Sequence, residues 1–270
     1  MKPKTRILFL GTPEFALPAL QALIDAGYLI VGVVTQPDEP IGRKQVLTPP
    51  PVKVLAEQYD IPVFQPLRLD ARDFADKIPR PDLFIVAAYG KIIPKAILDI
   101  PRFGVINIHP SLLPRWRGPS PIQAAILAGD AATGVTIMKI DEQMDHGALI
   151  ANYKLQITNY KTTYLELHNQ LAEAGAKLLI EILPRWVAGE IAPIAQDETH
   201  ATYCKLLTKN SGRIDWGKPA EEIERMIRAY HPWPGTWTIW KTEVGDRRIR
   251  IEEADAVDAV PPPHPIWCGG

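Results

Sequence analysis

Short apolar runs alternate with helical patterns through the first two-thirds of the chain. "RILFL" (6–10), "LIVGVVTQ" (29–36), "DLFIVAA" (82–88), "GVINIH" (104–109) and "ATGVTIMKID" (132–141) are strand-length and bounded by turn residues. "PALQALIDAG" and "VKVLAEQYD" carry apolar residues at helical spacing. The longest helical pattern, "TTYLELHNQLAEAGAKLLIEILPRW" (162–186), is predicted to stop at Pro184. Strands apolar on both faces, alternating with helices, predict an α/β fold with a mostly parallel sheet covered on both sides.

The pattern changes after Ile191. "APIAQDETHATYCKLLTKNSG" (192–212) is polar and irregular, and a linker is expected over 191–207. Beyond it, a helix is predicted after Pro219, then a rigid turn in "HPWPG" (231–235) and two strands, "TWTIWK" and "RRIRIEE". The expected division is therefore a first domain over 1–190 and a small β domain over 208–270. The tail "AVPPPHPIWCGG" reads as extended.

Within "GVINIHPSLLPRWRGPSPIQAAILAGD" (104–130), Asn107, His109 and Ser111 stand at alternating positions where a buried strand would carry aliphatic residues. Residues two apart share a face of a strand, so Asn107 and His109 project together at its carboxyl end, opposite Ile106 and Ile108. Ligand crevices of open parallel sheets form at that end. "DEQMDHG" (141–147) follows the next strand and is expected to bring Asp145 to a carboxyl-end loop as well. An imidazole to move a proton, a carboxylate to orient it and an amide to bind an oxyanion form a workable acyl-transfer set. The same residues also fit structural duty, since Asn107 and Ser111 can cap turns and Asp145 precedes His146-Gly147. The first strand–helix turn, "GTPEFA", has one glycine where a dinucleotide fingerprint needs three, so NAD is not expected.

Composition narrows the class. Hydrophobic residues make up 46% and charged residues 23%, with a formal net charge of −1, so no global field favours nucleic acid, although a local patch could. Two cysteines without a CxxC spacing make a disulfide framework or a cysteine metal site unexpected, and no metal is expected at all. The start "MKPKTRILFLGTPEF" lacks a signal-peptide h-region, and no run reaches membrane-span length. A cytoplasmic monomer without membrane contact is the expectation.

The stretch Asn107-Ile108-His109-Pro110-Ser111-Leu112-Leu113-Pro114, continued by Arg115-Trp116-Arg117-Gly118, resembles the signature of the formyltetrahydrofolate-dependent formyltransferases. "MDHG" at Asp145 stands where that superfamily carries an aspartate. "FLGTPEFALPAL" (9–20), "TQPDEPIGRKQVLTPPPVKVLA" (35–56), "AAYGKIIP" (87–94), "PSPIQAAILAGD" (119–130) and "GRIDWGKPAEEIERMIRAYHPWPGTWT" (212–238) are similar, in order, to the branch that formylates methionyl-tRNA.

The resemblance implies a Rossmann-like formyltransferase domain and an OB-like β domain. It implies Asn107, His109 and Asp145 as catalytic residues. It also implies folate contacts at Ser111, Leu112, Leu113 and Pro114, with the pteridine held by Ala87, Ala88, Tyr89 and Gly90 and by the loop from Asp141 to Asp145. The co-substrate would be 10-formyltetrahydrofolate. The acceptor would be the α-amine of initiator methionyl-tRNA, whose pKa of about 7.7–8.0 leaves a useful neutral fraction. The long segment from Gln36 to Lys53 would meet the tRNA, with Arg43 and Lys44 as phosphate contacts and Lys53 a weaker candidate.

The end of the chain departs from the family pattern. Residues 201–250 hold 10 basic and 6 acidic residues, whereas 251–270 hold no basic and 4 acidic ones, and a shortened OB-like barrel is expected. That keeps two alternatives in view: an N-formyltransferase acting on an amino nucleotide sugar, and a folate- or RNA-binding protein without catalysis.

Overall fold

A computed structural model describes residues 5–42, 44–69, 78 and 80–257. The chain forms two compact units that divide between Leu206 and Leu207. The first is built on a seven-stranded sheet in the order β5-β2-β1-β6-β7-β8-β9. Its strands are β1 (Arg6–Gly11), β2 (Leu29–Val34), β5 (Val63–Phe64), β6 (Leu83–Ala87), β7 (Val105–His109), β8 (Ala132–Lys139) and β9 (Leu149–Gln156). β5, β2, β1, β6 and β7 pair in parallel, while β8 runs antiparallel to both β7 and β9. Ile7, Leu8, Phe9 and Leu10 of β1 are wholly buried, as a strand covered on both faces requires.

The α-helices among the described residues of this unit are α1 (Leu17–Asp25), α2 (Pro51–Gln58), α3 (Lys95–Leu98), α4 (Pro121–Ala128) and α5 (Tyr164–Val187). α5 starts at a capping box: the Thr163 hydroxyl accepts from the Glu166 N–H, and the Glu166 carboxylate accepts from the Thr163 N–H. Its buried stripe includes Leu167, Leu171, Gly175, Leu178, Ile182 and Leu183. A Cβ on Gly175 would stand 2.7 Å from Ile108 Cγ2, so α5 lies close against the face of β7 that carries Ile108. α5 also passes Pro184, where the sequence pattern predicts a stop. The proline removes one hydrogen bond only a turn from the end, and the Trp186 indole N–H anchors that turn on the Phe103 carbonyl at 3.1 Å.

Three elements differ from the sequence-based expectation. The stretch from Gln36 to Lys53 contains a small hairpin, β3 (Glu39–Ile41) with β4 (Val46–Thr48), where a loop is expected. β9 lies where the sequence pattern predicts no element, and its polar, largely exposed face fits an edge strand. Residues 192–204, expected to lie in a linker, are bonded to the first unit. Leu149 and Ile194 exchange backbone hydrogen bonds, as do Arg117 and its neighbours Thr202 and Cys204.

In the second unit, α6 (Ala220–Tyr230) precedes a hairpin of β10 (Thr236–Thr242) and β11 (Gly245–Ile251). The Ile214 N–H donates to the Trp237 carbonyl, and the Trp216 indole donates to the Thr238 hydroxyl at 2.9 Å. Of the expected OB-like region, the described residues hold one α-helix, one short 3-10 turn (Lys209–Gly212) and one two-stranded hairpin. No helix among the described residues is long and apolar enough to cross a membrane.

Two stability predictions come from this architecture. A Cβ at Gly134 of β8 would meet the Tyr153 carbonyl oxygen of β9 at 2.1 Å and Leu112 Cδ2 at 2.6 Å. Because a paired backbone cannot yield as a side chain does, Gly134→Ala should cost about 1–3 kcal/mol or more in urea unfolding. Asp82 accepts from the Arg6 backbone N–H and guanidinium and lies 3.1 Å from Arg102 Nε. Burial alone would raise its carboxyl pKa, but the Arg6 hydrogen bonds and the two positive charges outweigh that and hold it below the usual range. A depressed folded-state pKa gives stability that is present above the unfolded value of about 3.9 and lost as pH falls through the folded one. Asp82→Asn should therefore be less stable than the parent near neutral pH, with the gap closing in acid.

Candidate active site

β6 and β7 end side by side, with Val86 opposite Asn107, so the chain from Ala87 to Gly90 leaves the sheet beside Asn107 and His109. Asn107 is partly exposed, and its amide has no hydrogen-bond partner among the described residues. His109 is almost wholly buried, at 4% exposure. Its Nε2 lies 3.0 Å from the Trp116 carbonyl oxygen. A carbonyl only accepts, so Nε2 carries the proton and donates it. Nδ1 faces Asp145 Oδ1 at 3.7 Å, longer than a hydrogen bond.

Asp145 reaches His109 by a different route from the one expected. β8 is antiparallel to β7: Thr136 stands opposite His109 and Lys139 opposite Ile106. The carboxyl end of β8 thus lies at the far end of β7, and the 140–148 connection has to fold back. Two contacts hold the returning loop. The Gly118 N–H donates to Asp145 Oδ2 at 2.7 Å. Gln196 Nε2 donates to the carbonyls of Asp145 and Gly147 at 2.9 and 2.8 Å. Asp145 itself sits at a φ of +50°, uncommon outside glycine.

Ser111 does not join the polar row. Pro110 turns the chain, and the Ser111 hydroxyl donates to the Arg115 carbonyl at 2.6 Å. Ser111 is wholly buried and Leu113 nearly so. The Thr136 hydroxyl ties the turn to β8, donating to the Ser111 carbonyl and accepting from the Leu113 N–H. Leu112 and Pro114 are half-buried. In the 87–90 stretch, Ala87 is buried while Ala88 and Gly90 are exposed, at φ values of +47° and +80°. The Tyr89 side chain points into the core, where burial pushes its hydroxyl up to about 12, and its carbonyl accepts from Thr12 and Gln36.

Asp141 accepts from or ion-pairs with His146 Nδ1 at 2.7 Å. It also borders a cavity of about 820 Å³ at the start of β7, lined by Gly104, Val105, Lys139, Ile140 and Trp186 among others. Neither His109 nor Asp145 lines that cavity. Lys44 is exposed at the tip of the β3–β4 hairpin, whereas Arg43 lies outside the described residues. Lys53 is taken by Asp38, with both carboxylate oxygens at 2.9 Å.

Sequence reasoning missed a buried group beside the site. Arg117 is 0% exposed. It donates to Gln196 Oε1 through Nε and Nη2, to both oxygens of Glu198 and to the Tyr203 hydroxyl. Donating to the Glu198 carboxylate, above all, raises the Arg117 pKa. Cys204 lies close by, with its Sγ 3.2 Å from the Ser120 nitrogen. Burial above all holds the Cys204 thiol above its ordinary range, which makes it a poor nucleophile. Among the described residues, no group of three or more His, Cys, Asp or Glu side chains could hold a metal ion.

Comparison with known proteins matches residues 5–183 to the formyl transferase family and residues 206–265 to its C-terminal domain. A methionyl-tRNA formyltransferase of Marinobacter nauticus is 49% identical over 254 residues, covering 93% of this chain and 80% of that one. One of Chloroflexus aurantiacus is 50% identical over 238 residues, 87% of this chain and 76% of that one. Among solved structures, a 4-N formyltransferase from Francisella tularensis superposes with a TM-score of 0.70 at 19% identity, over 94% of this chain and 99% of that one. An N-formyltransferase from Helicobacter canadensis gives 0.66 at 20% identity, over 83% of this chain and 80% of that one. At such identities the two structures speak for the fold alone, whereas the family matches and the half-identical relatives speak for descent: the chain belongs to the formyl transferase family.

Proposed function

We propose that this protein transfers the formyl group of 10-formyltetrahydrofolate to the α-amine of initiator methionyl-tRNA. The observation that carries the reading is the Asn107 amide, without a partner among the described residues, beside His109 at the carboxyl ends of two adjacent parallel strands, with the His109 ring facing Asp145. The half-identical methionyl-tRNA formyltransferases support the choice of acceptor.

The amine attacks the formyl carbon. A new C–N bond forms, the formyl oxygen gains negative charge, the bond to N10 of the folate breaks, and the surplus amine proton passes to N10. Asn107 donates its amide N–H to the charged oxygen, where an aimed donor counts most. His109 Nε2 is engaged by Trp116, so Nδ1 is the ring atom that takes or gives the proton, directly or through water. Asp145 faces Nδ1 and favours the charged ring as the proton moves. No protein nucleophile is needed, because the attacking amine belongs to the substrate.

The residues around the crevice fit a folate. Exposed backbone at Ala88 and Gly90 offers hydrogen-bonding groups to a pteridine, and Asp145 at the end of the 141–145 loop faces His109 beside them. Ser111, Leu112, Leu113 and Pro114 contribute through the shape of the turn rather than through a free hydroxyl. Lys44, with Arg43, supplies positive charge toward the tRNA backbone, since Lys53 is neutralised by Asp38. The protein works in the cytoplasm as a monomer and needs no metal and no NAD.

The test is transfer of labelled formyl from 10-formyltetrahydrofolate, with initiator Met-tRNA and a panel of amino nucleotide sugars run side by side. Rapid labelling of Met-tRNA is expected, and labelling of a sugar alone would overturn the acceptor. His109→Ala and Asp145→Ala should each remain folded and lose about 10²–10⁴-fold in kcat. Asn107→Ala should lose about 10²–10³-fold. Arg43→Ala with Lys44→Ala should raise KM for Met-tRNA and flatten its dependence on salt, leaving KM for the folate unchanged.

A further inference from the structure

Gln196 lies outside the signature, in the stretch whose sequence reads as linker, yet every polar group of its side chain is committed. Its Oε1 accepts from Arg117 Nε at 3.0 Å and Nη2 at 2.8 Å. Its Nε2 donates one proton to the Asp145 carbonyl at 2.9 Å and the other to the Gly147 carbonyl at 2.8 Å. The amide has one orientation only. Flipped, it would set N–H groups against a guanidinium and an oxygen against two carbonyls.

Arg117 is itself immobile. It is 0% exposed and held on its other edge by Glu198 and Tyr203, so the Gln196 oxygen is anchored from inside the fold. The two Gln196 donors therefore grip the carbonyls of Asp145 and Gly147, at either end of the 145–147 turn. That turn needs gripping, because an aspartate in the left-handed region is strained by about 1–3 kcal/mol and persists only where its surroundings impose it. Its side-chain end is fixed separately by the Gly118 N–H. Between them, the backbone and side-chain anchors set Oδ1 at 3.7 Å from His109 Nδ1.

We propose that Gln196 is a positioning residue for formyl transfer: anchored on Arg117, it holds the backbone of the 145–147 turn so that the Asp145 carboxylate keeps its distance from His109. This rests on the formyl-transfer reading above. Gln196→Glu separates the two halves of the role, because it retains oxygens for Arg117 and removes both donors to the turn. Gln196→Met, which adds no charge but removes the Arg117 acceptor together with both donors, is the second variant where a glutamate disturbs folding.

The test is a double-mutant cycle in single-turnover transfer to Met-tRNA with enzyme in excess, using Gln196→Glu, Asp145→Ala and the double variant. Gln196→Glu is expected to lower the transfer rate about tenfold to 100-fold, with both substrate affinities within about twofold and the pH profile of the rate displaced. In the Asp145→Ala background the same change should cost less than about twofold, because the group it positions is gone. Losses that multiply, or a Gln196→Glu rate within about twofold of the parent, would overturn the proposal. If Asp145→Ala is too slow to measure, the His109 imidazole NMR signals decide. They should move in Gln196→Glu or Gln196→Met toward their positions in Asp145→Ala, and unmoved signals would refute the role. A parent protein that formylates no Met-tRNA would sink the functional reading instead, and the NMR comparison would still report on Gln196.

Discussion

A guanidinium taken wholly out of water costs several kcal/mol unless its donors are paired, and Arg117 is taken wholly out of water. Its partners cannot come from its own loop, which is short and turns sharply. They come from Gln196, Glu198 and Tyr203, 79, 81 and 86 residues further along. Satisfying that one charge draws an irregular, polar segment back onto the sheet. The backbone follows, with the Arg117 N–H donating to the Thr202 carbonyl and the Cys204 N–H donating to that of Arg117. The same segment then supplies the amide that grips the Asp145 turn. One buried cation thus couples the signature loop, the returning loop after β8 and the end of the first unit.

β7 carries two incompatible demands on its two faces. Ile108 packs behind it against α5, where the absence of a Cβ at Gly175 lets the helix approach. Asn107 and His109 project in front, one with an amide that has no partner among the described residues and the other almost wholly buried. The buried ring is kept in one tautomer by the Trp116 carbonyl, and Trp116 takes a φ of +59° to present it. That strain is offset locally. The Trp116 indole donates to Asp130 at 2.8 Å, Arg115 lies over the ring at 4.4 Å, and the Trp116 N–H donates to the Thr202 hydroxyl. Non-glycine residues in this region cluster where geometry matters more than local stability, and Ala88, Trp116 and Asp145 all have it here.

The hairpin between Gln36 and Lys53 shows how structure redistributes charge that a sequence merely counts. Hydrogen bonds from Gln65 and Lys53 hold the Asp38 carboxyl below its usual range, and Lys53 is spent in doing so. Lys44 stays exposed at the tip, on a turn flanked by exposed Ile41, Val46 and Leu47.

Periodicity alone determined the parallel core of the sheet, the long helix over its face and the placement of Asn107 and His109 at a strand's carboxyl end, because alternation and helical spacing are local consequences of backbone geometry. The signature beside them was legible for the same reason: its residues are contiguous. The reversal of β8, the edge strand β9 and the path of Asp145 back to His109 were not legible, since strand direction depends on which neighbour pairs and not on the strand's own pattern. Nor could 192–204 declare itself part of the site. Its polar residues look solvated until Arg117, far away in the chain, needs them. The sequence by itself determined which groups were available for chemistry. Only the tertiary structure decided which of them meet, because a buried charge is satisfied by whatever the fold brings within about 3 Å.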